Sequence, residues 1–145
     1  MPTSISSAGL LTNYLREWLG PRVESELGLV SLAEHGLPLT TVSRMTRHGL
    51  TRDEVHSLVI HRRTFKHRKS NKQKLSQEES DRAIRAARLL ARAQATLGDS
   101  SSALQWMRQP KVRFEGRTPL QMMVTETGGR LVEEMLLQID DGMFA

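Results

Sequence analysis

The chain has 145 residues, with 21 lysines and arginines against 16 acids and a formal net charge of +5. That length suits one domain or two small lobes, large enough to bury roughly two thirds of the unfolded surface. It contains no cysteine, which excludes a disulfide frame, a thiolate metal site and a cysteine nucleophile.

Aromatic residues make up only 4% of the chain, the second half is rich in helix formers, and no segment alternates at period two, so the expected fold class is all-α. Leu11, Tyr14, Leu15 and Trp18 recur at helical spacing up to Pro21, where that helix must end. A short helix around 29–35 should stop at Gly36, and Pro38 suits the first turn of another that carries Leu39, Val42 and Met45 inward and ends near Gly49. The stretch "LTRDEV" is a capping box with Thr51 as cap, Glu54 reaching back and Leu50 stapled to Val55; it opens a helix over about 52–59. "SQEE" repeats the arrangement with Ser76 and Glu79 and opens a long helix to Leu97, stopped by Gly98, with Ile84, Ala87, Leu90 and Ala91 as its apolar stripe. Arg82, Arg85, Arg88 and Arg92 line one side of it, either as its wet face or as a contact for phosphate or an acidic partner. Asp99 or a following serine then caps a helix bearing Leu104 and Trp106, ended by Pro110. Thr118 caps a helix starting at Pro119, and Thr125 caps a last one with Leu131, Val132, Met135, Leu136 and Ile139 inward, ending around Gly142.

Charge is unevenly spread. Residues 41–75 hold ten basic and two acidic groups, whereas residues 99–145 hold five and seven, a division that fits two different partners. "IHRRTFKHRKSNKQK", residues 60–74, has seven basic residues and no acid. It follows the capped helix at 52 after a brief apolar turn, which is the layout of a helix-turn-helix with a basic second helix. Ile60 and Phe65 would face the core, and Arg62, Arg63, Lys66, His67 and Lys69 would face outward, with Thr64 among the DNA-contacting residues. Arginine can fork onto guanine edges, and lysine neutralises phosphate. The alternative is a run of solvated charge.

Other constellations carry little chemistry. The five histidines show no i, i+4 pairing and have no cysteine support, so no metal site is expected. Glu78 with Glu79, Glu133 with Glu134 and Asp140 with Asp141 are adjacent on helices and point about 100° apart, not preset to share a proton. Gly128 and Gly129 lack the strand and lysine of a phosphate loop and suit close helix approach. Met122, Met123 and Trp106 read as core. No cofactor is implied and no enzyme is expected. No run approaches about 18 apolar residues, and the start lacks the basic and apolar regions of a secretory signal, so the expected location is cytoplasmic.

From Asp99 on, the chain resembles the toxin-binding domain of the Xre/MbcA/ParS antitoxins. The residues that carry the likeness are Leu104 and Trp106; Gly116, Arg117, Thr118, Pro119 and Leu120; and Thr125, Glu126, Gly128, Val132, Glu133, Leu136, Ile139 and Gly142. The segment from Leu50 to Asp99 is similar to the helix-turn-helix and linking helix of the Xre subgroup. It departs from the pattern at Val59 and His61, where the family has a turn glycine and a capping serine, at Ser70 and Gln73, and in the loop "KVRF" at 111–114. The resemblance implies an antitoxin whose partner is a RES-domain toxin acting on NAD, covered at its active site by the antitoxin's C-terminal end, with the helix-turn-helix repressing the shared promoter. The resemblance covers roughly residues 36–145 and implies a helix-turn-helix domain with its linking helix over 36–98 and a toxin-binding domain over 99–145, preceded by an N-terminal helical segment over 1–35 that periodicity alone suggests. The toxin contacts expected are Arg117, Glu134, Gln138, Asp140, Asp141, Gly142, Met143, Phe144 and Ala145. The acids there would imitate a cofactor's phosphates, and Met143 and Phe144 would anchor the end. Double-stranded operator DNA is the second partner, bound as a homodimer or as a hetero-oligomer with the toxin. The rival reading is an ordinary helix-turn-helix regulator whose C-terminal domain dimerises or senses a ligand.

Overall fold

The computed structural model describes residues 7–142. Its elements in chain order are α1 (Ser7–Leu19), α2 (Glu26–His35), α3 (Thr40–Arg47), α4 (Arg52–Leu58), α5 (Arg62–Ser70), α6 (Gln77–Leu97), α7 (Ser100–Met107), a 3-10 turn (Val112–Phe114), α8 (Pro119–Met122) and α9 (Glu126–Asp140). The described residues contain helices and turns and no strand, as composition and periodicity led us to expect.

Helix α6 is the axis of the molecule, with α1, α2, α4, α7 and α9 all packed against it. Its sequence explains this: Ala83, Ala86, Ala87, Ala91 and Ala93 are buried around Ile84, Leu89 and Leu90. Small side chains on several faces let neighbouring helices approach closely, so burial extends well beyond one stripe. The buried apolar residues form one continuous core from Leu15 and Trp18 of α1 to Met135 and Leu136 of α9.

The caps fix the boundaries. Thr51 and Glu54 form the capping box of α4, and Ser76 and Glu79 that of α6. Asp99 accepts from the Ser102 amide at 2.6 Å to start α7, and this bond holds the Asp99 carboxyl below its ordinary pKa. Helix α2 begins three residues before the expected 29, because the Ser25 hydroxyl accepts from the Gly28 amide. Helix α3 begins at Thr40, two residues past Pro38. The Gly36 stop has φ +83°, and a Cβ there would lie 2.5 Å from the Leu75 carbonyl oxygen, so only glycine fits.

Two expectations about α6 and α9 need correction. Leu131 is 45% exposed, because it lies at the edge of the buried arc centred on Val132, Met135, Leu136 and Ile139. The arginine row on α6 is not simply its wet face. Arg82 Nε donates to the Val59 carbonyl at 2.9 Å, Arg85 Nη2 donates to the Val124 carbonyl at 3.2 Å, and Arg88 pairs with Glu26 at 3.3 Å. The row ties α6 to three neighbouring segments.

Candidate functional site

Helices α4 and α5 make the two-helix unit expected of the basic run. Ile60 is fully buried and Phe65 half-buried, the latter with its ring 5.7 Å from that of His56. The turn between the helices contains no glycine, and Val59 sits at φ −119° rather than in the left-handed region. Two side chains hold it instead. His56 Nδ1 donates to the Ile60 carbonyl at 2.9 Å and Arg82 Nε to the Val59 carbonyl. Carbonyls that a glycine turn would leave to solvent are thus satisfied from inside, which fixes the angle at which α5 leaves.

On α5, Arg63, Lys66, His67 and Ser70 occupy the exposed face, with Arg62 and Lys69 at its edges. Arg62 donates to Asp53 at 2.8 Å across the exposed edge of the unit. Thr64 is half-buried and points about 100° away from Arg63, so the structure does not bring it onto that face. His61 precedes the helix without a side-chain cap.

Arg68, on the inner side, is the anchor. Its Nε and Nη2 donate to the two oxygens of Glu79 at 2.9 and 3.2 Å, and its Nη1 to Gln73 at 3.2 Å. Glu79 is buried and also receives the Ser76 amide at 2.7 Å. Burial opposes its ionisation, but the Arg68 and Ser76 bonds outweigh this and hold its carboxyl below the ordinary glutamate range. The bidentate pair clamps the C-terminal half of α5 to the start of α6. Sequence spacing alone does not connect positions 68 and 79.

The C-terminal module presents a second, acidic surface. Close approach of α8 and α9 is permitted by Gly128, where a Cβ would lie 1.9 Å from the Met122 carbonyl oxygen. Glu134, Asp140, Asp141 and Gly142 are exposed, and Gln138 is half-buried. Glu134, Gln138 and Asp141 share one face of α9 by their spacing of four and three. Arg113 Nη1 donates to Gln138 at 2.6 Å, joining the "KVRF" loop to that face. Beside it Lys111 sits 4.5 Å from the Trp106 ring centroid, and burial lowers its pKa. Arg117 is exposed on the same loop and donates to the Phe114 carbonyl. The last turn of α9 carries no basic residue, so two aspartates stand at the negative end of a helix dipole. Met143, Phe144 and Ala145 lie outside the described residues.

A cavity of about 500 Å³ lies among α1, α2, α6 and α9, and none of these surface residues lines it. Both candidate surfaces are made of largely exposed side chains outside that cavity, which suits macromolecular partners rather than a small substrate. Among the described residues no group of three or more His, Cys, Asp and Glu is placed to hold a metal, and no helix is long and apolar enough to cross a membrane.

A rigidly held basic second helix, on an all-helical body that ends in an acidic module, defines a helix-turn-helix protein with a C-terminal partner-binding domain. Residues 28–88 match the antitoxin Xre-like helix-turn-helix domain, and residues 92–142 match the antitoxin Xre/MbcA/ParS C-terminal toxin-binding domain. Antitoxin Xre of Pseudomonas putida is 37% identical over 122 residues, covering 84% of this chain and 77% of that protein. Antitoxin Xre of Photorhabdus laumondii is 30% identical over 118 residues, covering 79% and 80% respectively. The chain belongs to the Xre antitoxin family.

Proposed function

We propose that this chain neutralises a RES-domain toxin by covering the toxin's active site with the C-terminal end of α9, and that α5 reads the operator of its own promoter. It acts by binding, not by catalysis. The observation that carries the toxin reading is the exposed acidic end of α9, with Asp140 and Asp141 and no compensating base in the last turn. Stacking negative charge at a helix C-terminus works against the isolated helix. It becomes favourable when a basic pocket, such as one built for the pyrophosphate of a dinucleotide, receives it. The two surfaces lie on different elements, so one chain can hold both partners, as an oligomer on DNA.

The test is co-expression with the RES-domain toxin, reading growth and cellular NAD. The full chain should restore both, and a chain lacking residues 140–145 should still fold but lose protection. Undiminished protection by the shortened chain would remove the plug model. A full chain that binds its operator but leaves the toxin active would favour the rival, a regulator with a dimerising or ligand-sensing domain.

A further inference from the structure

Val112 is 97% exposed, more than any other large apolar residue among the described ones. Single exposed apolar side chains are ordinary on protein surfaces, but this one stands on a loop that holds it outward. The Lys111 amide donates to the Arg117 carbonyl at 3.1 Å, and the Gly116 amide returns to the Lys111 carbonyl at 3.0 Å, which closes the loop at its base. Within it the Phe114 amide donates to the Lys111 carbonyl at 3.1 Å and the Glu115 amide to the Val112 carbonyl at 3.0 Å. Phe114, two residues on, is buried and plugs the loop into the core. Glu115 is held at φ +56°, in the left-handed region that a residue with a Cβ rarely adopts. A loop closed in this way presents Val112 in one place, so a partner would not have to order it.

The loop lies within residues 92–142, which match the toxin-binding domain. Arg113, next in sequence, donates to Gln138 at 2.6 Å, so Val112 borders the α9 face that ends in Asp141. Leu131 lies on the same side of α9 as Gln138, two turns earlier, and is 45% exposed. Around Val112 the charge reverses. Residues 111–117 carry Lys111, Arg113 and Arg117 against Glu115 alone, whereas α9 ends in two aspartates.

We propose that Val112 is a second anchor for the toxin, seated in an apolar recess with an acidic rim, beside the basic pocket that takes the end of α9. The inference rests on the toxin reading above. An apolar tip ringed by cations divides the work of an interface: the buried methyl groups supply the energy, and the rim charges exclude water and set the register. Leu131 extends the apolar contact along α9. Two anchors in opposite electrostatic surroundings also fix the orientation of the chain on the toxin, which a single terminal contact leaves free to turn.

The experiment titrates the RES-domain toxin with the full chain and its variants by calorimetry, and follows the melting and sedimentation of each chain alone. V112A should weaken toxin binding about tenfold. V112D should weaken it about a hundredfold or more, and V112K less than V112D, because only the lysine matches an acidic rim. All three should melt with the parent, since the Val112 side chain is almost wholly in solvent. Undiminished binding by V112D, where the parent binds, would overturn the anchor and leave the toxin reading standing. No binding by the parent would overturn both. Equal losses in V112D and V112K would overturn the acidic rim. A V112D chain whose toxin affinity holds while its own sedimentation changes would assign Val112 to a contact between copies of this chain instead.

Discussion

Arg108 holds Glu54 in two hydrogen bonds, Nε to Oε2 at 2.9 Å and Nη2 to Oε1 at 2.7 Å, across 54 positions of sequence. The same Nη2 also donates to the Gly49 carbonyl at 2.8 Å. Glu54 is the returning carboxylate of the α4 capping box, taking the Thr51 amide at 2.8 Å, so the residue that ends α7 closes the first helix of the DNA-binding unit. One turn earlier Leu104 presses on Gly49, where a Cβ would lie 2.5 Å from its Cδ1. R108A should therefore cost about 1–2 kcal/mol, the range for charged hydrogen bonds at a partly exposed site. Amide exchange at 51–55 should speed up more than exchange in the middle of α6. Equal protection in R108A and the parent would show that the contact does not hold α4.

Acid should release both arginine–glutamate clamps. At Glu54, as at Glu79, burial raises the pKa but is outweighed by its arginine and by the capping amide, so both carboxyls stay below the ordinary range. A depressed folded pKa means that the unfolded chain binds more protons as pH falls through the ordinary glutamate range. Stability is therefore complete above that range and is lost as pH drops through the folded values. Denaturant unfolding at stepped pH should show this decline, and R68Q/R108Q should start lower and fall less steeply. A parallel decline in parent and variant would assign the acid limb to other carboxylates.

What could be read from the sequence divides along a physical line. Local chemistry was legible: the boxes at Thr51 and Ser76, the caps at Asp99, Thr118 and Thr125, and the glycine stops at Gly36 and Gly98 are all contained in windows of four or five residues. Periodicity found the α6 core and most of α9, but it misplaced Leu131. At 100° per residue Leu131 lies about 90° from the direction that Val132, Met135, Leu136 and Ile139 share, which puts it at the edge of the buried arc. Gln94 was invisible because only the folded chain brings Trp18 to it. The indole Nε1 donates to Gln94 Oε1 at 2.6 Å, and Gln94 Nε2 donates to Glu17 at 2.9 Å. The clamps at Arg68 and Arg108, and the side chains that close the glycine-free turn, were hidden for the same reason. The basic face of α5 was legible because exposure and charge follow from one helix alone.

Gly128 and Gly129 are neighbours with different constraints. A Cβ on Gly128 would meet the Met122 backbone at 1.9 Å, which no rotamer change relieves. On Gly129 it would meet Leu89 Cδ1 at 3.3 Å and Arg85 Cδ at 3.6 Å, both on side chains that can shift. G128A should destabilise by about 3 kcal/mol, the upper part of the overpacking range. G129A should lie within about 1 kcal/mol of the parent, since the gain in helix propensity offsets the crowding. Similar denaturant midpoints for the two variants would mean that α8 and α9 separate without cost.

The exposed face of α5 makes a graded prediction, because its cations are not equivalent. Arg63 and Lys66 face solvent, Arg62 is already neutralised by Asp53 at 2.8 Å, and Arg68 is committed to Glu79. R63A/K66A should weaken DNA binding at least tenfold at moderate salt and lower the slope of log affinity against log salt by about two. R62A should change that slope less than either of those single substitutions does. D53A should leave affinity equal or slightly higher, since it frees the Arg62 charge for phosphate. R68A belongs to another class: stranding Glu79 at a largely buried site should cost about 2–3 kcal/mol of stability, and its DNA defect should shrink once measured well below its unfolding midpoint. Fluorescence anisotropy on the upstream DNA at several salt concentrations measures all of these variants. A slope unmoved in R63A/K66A would mean that another surface carries the DNA.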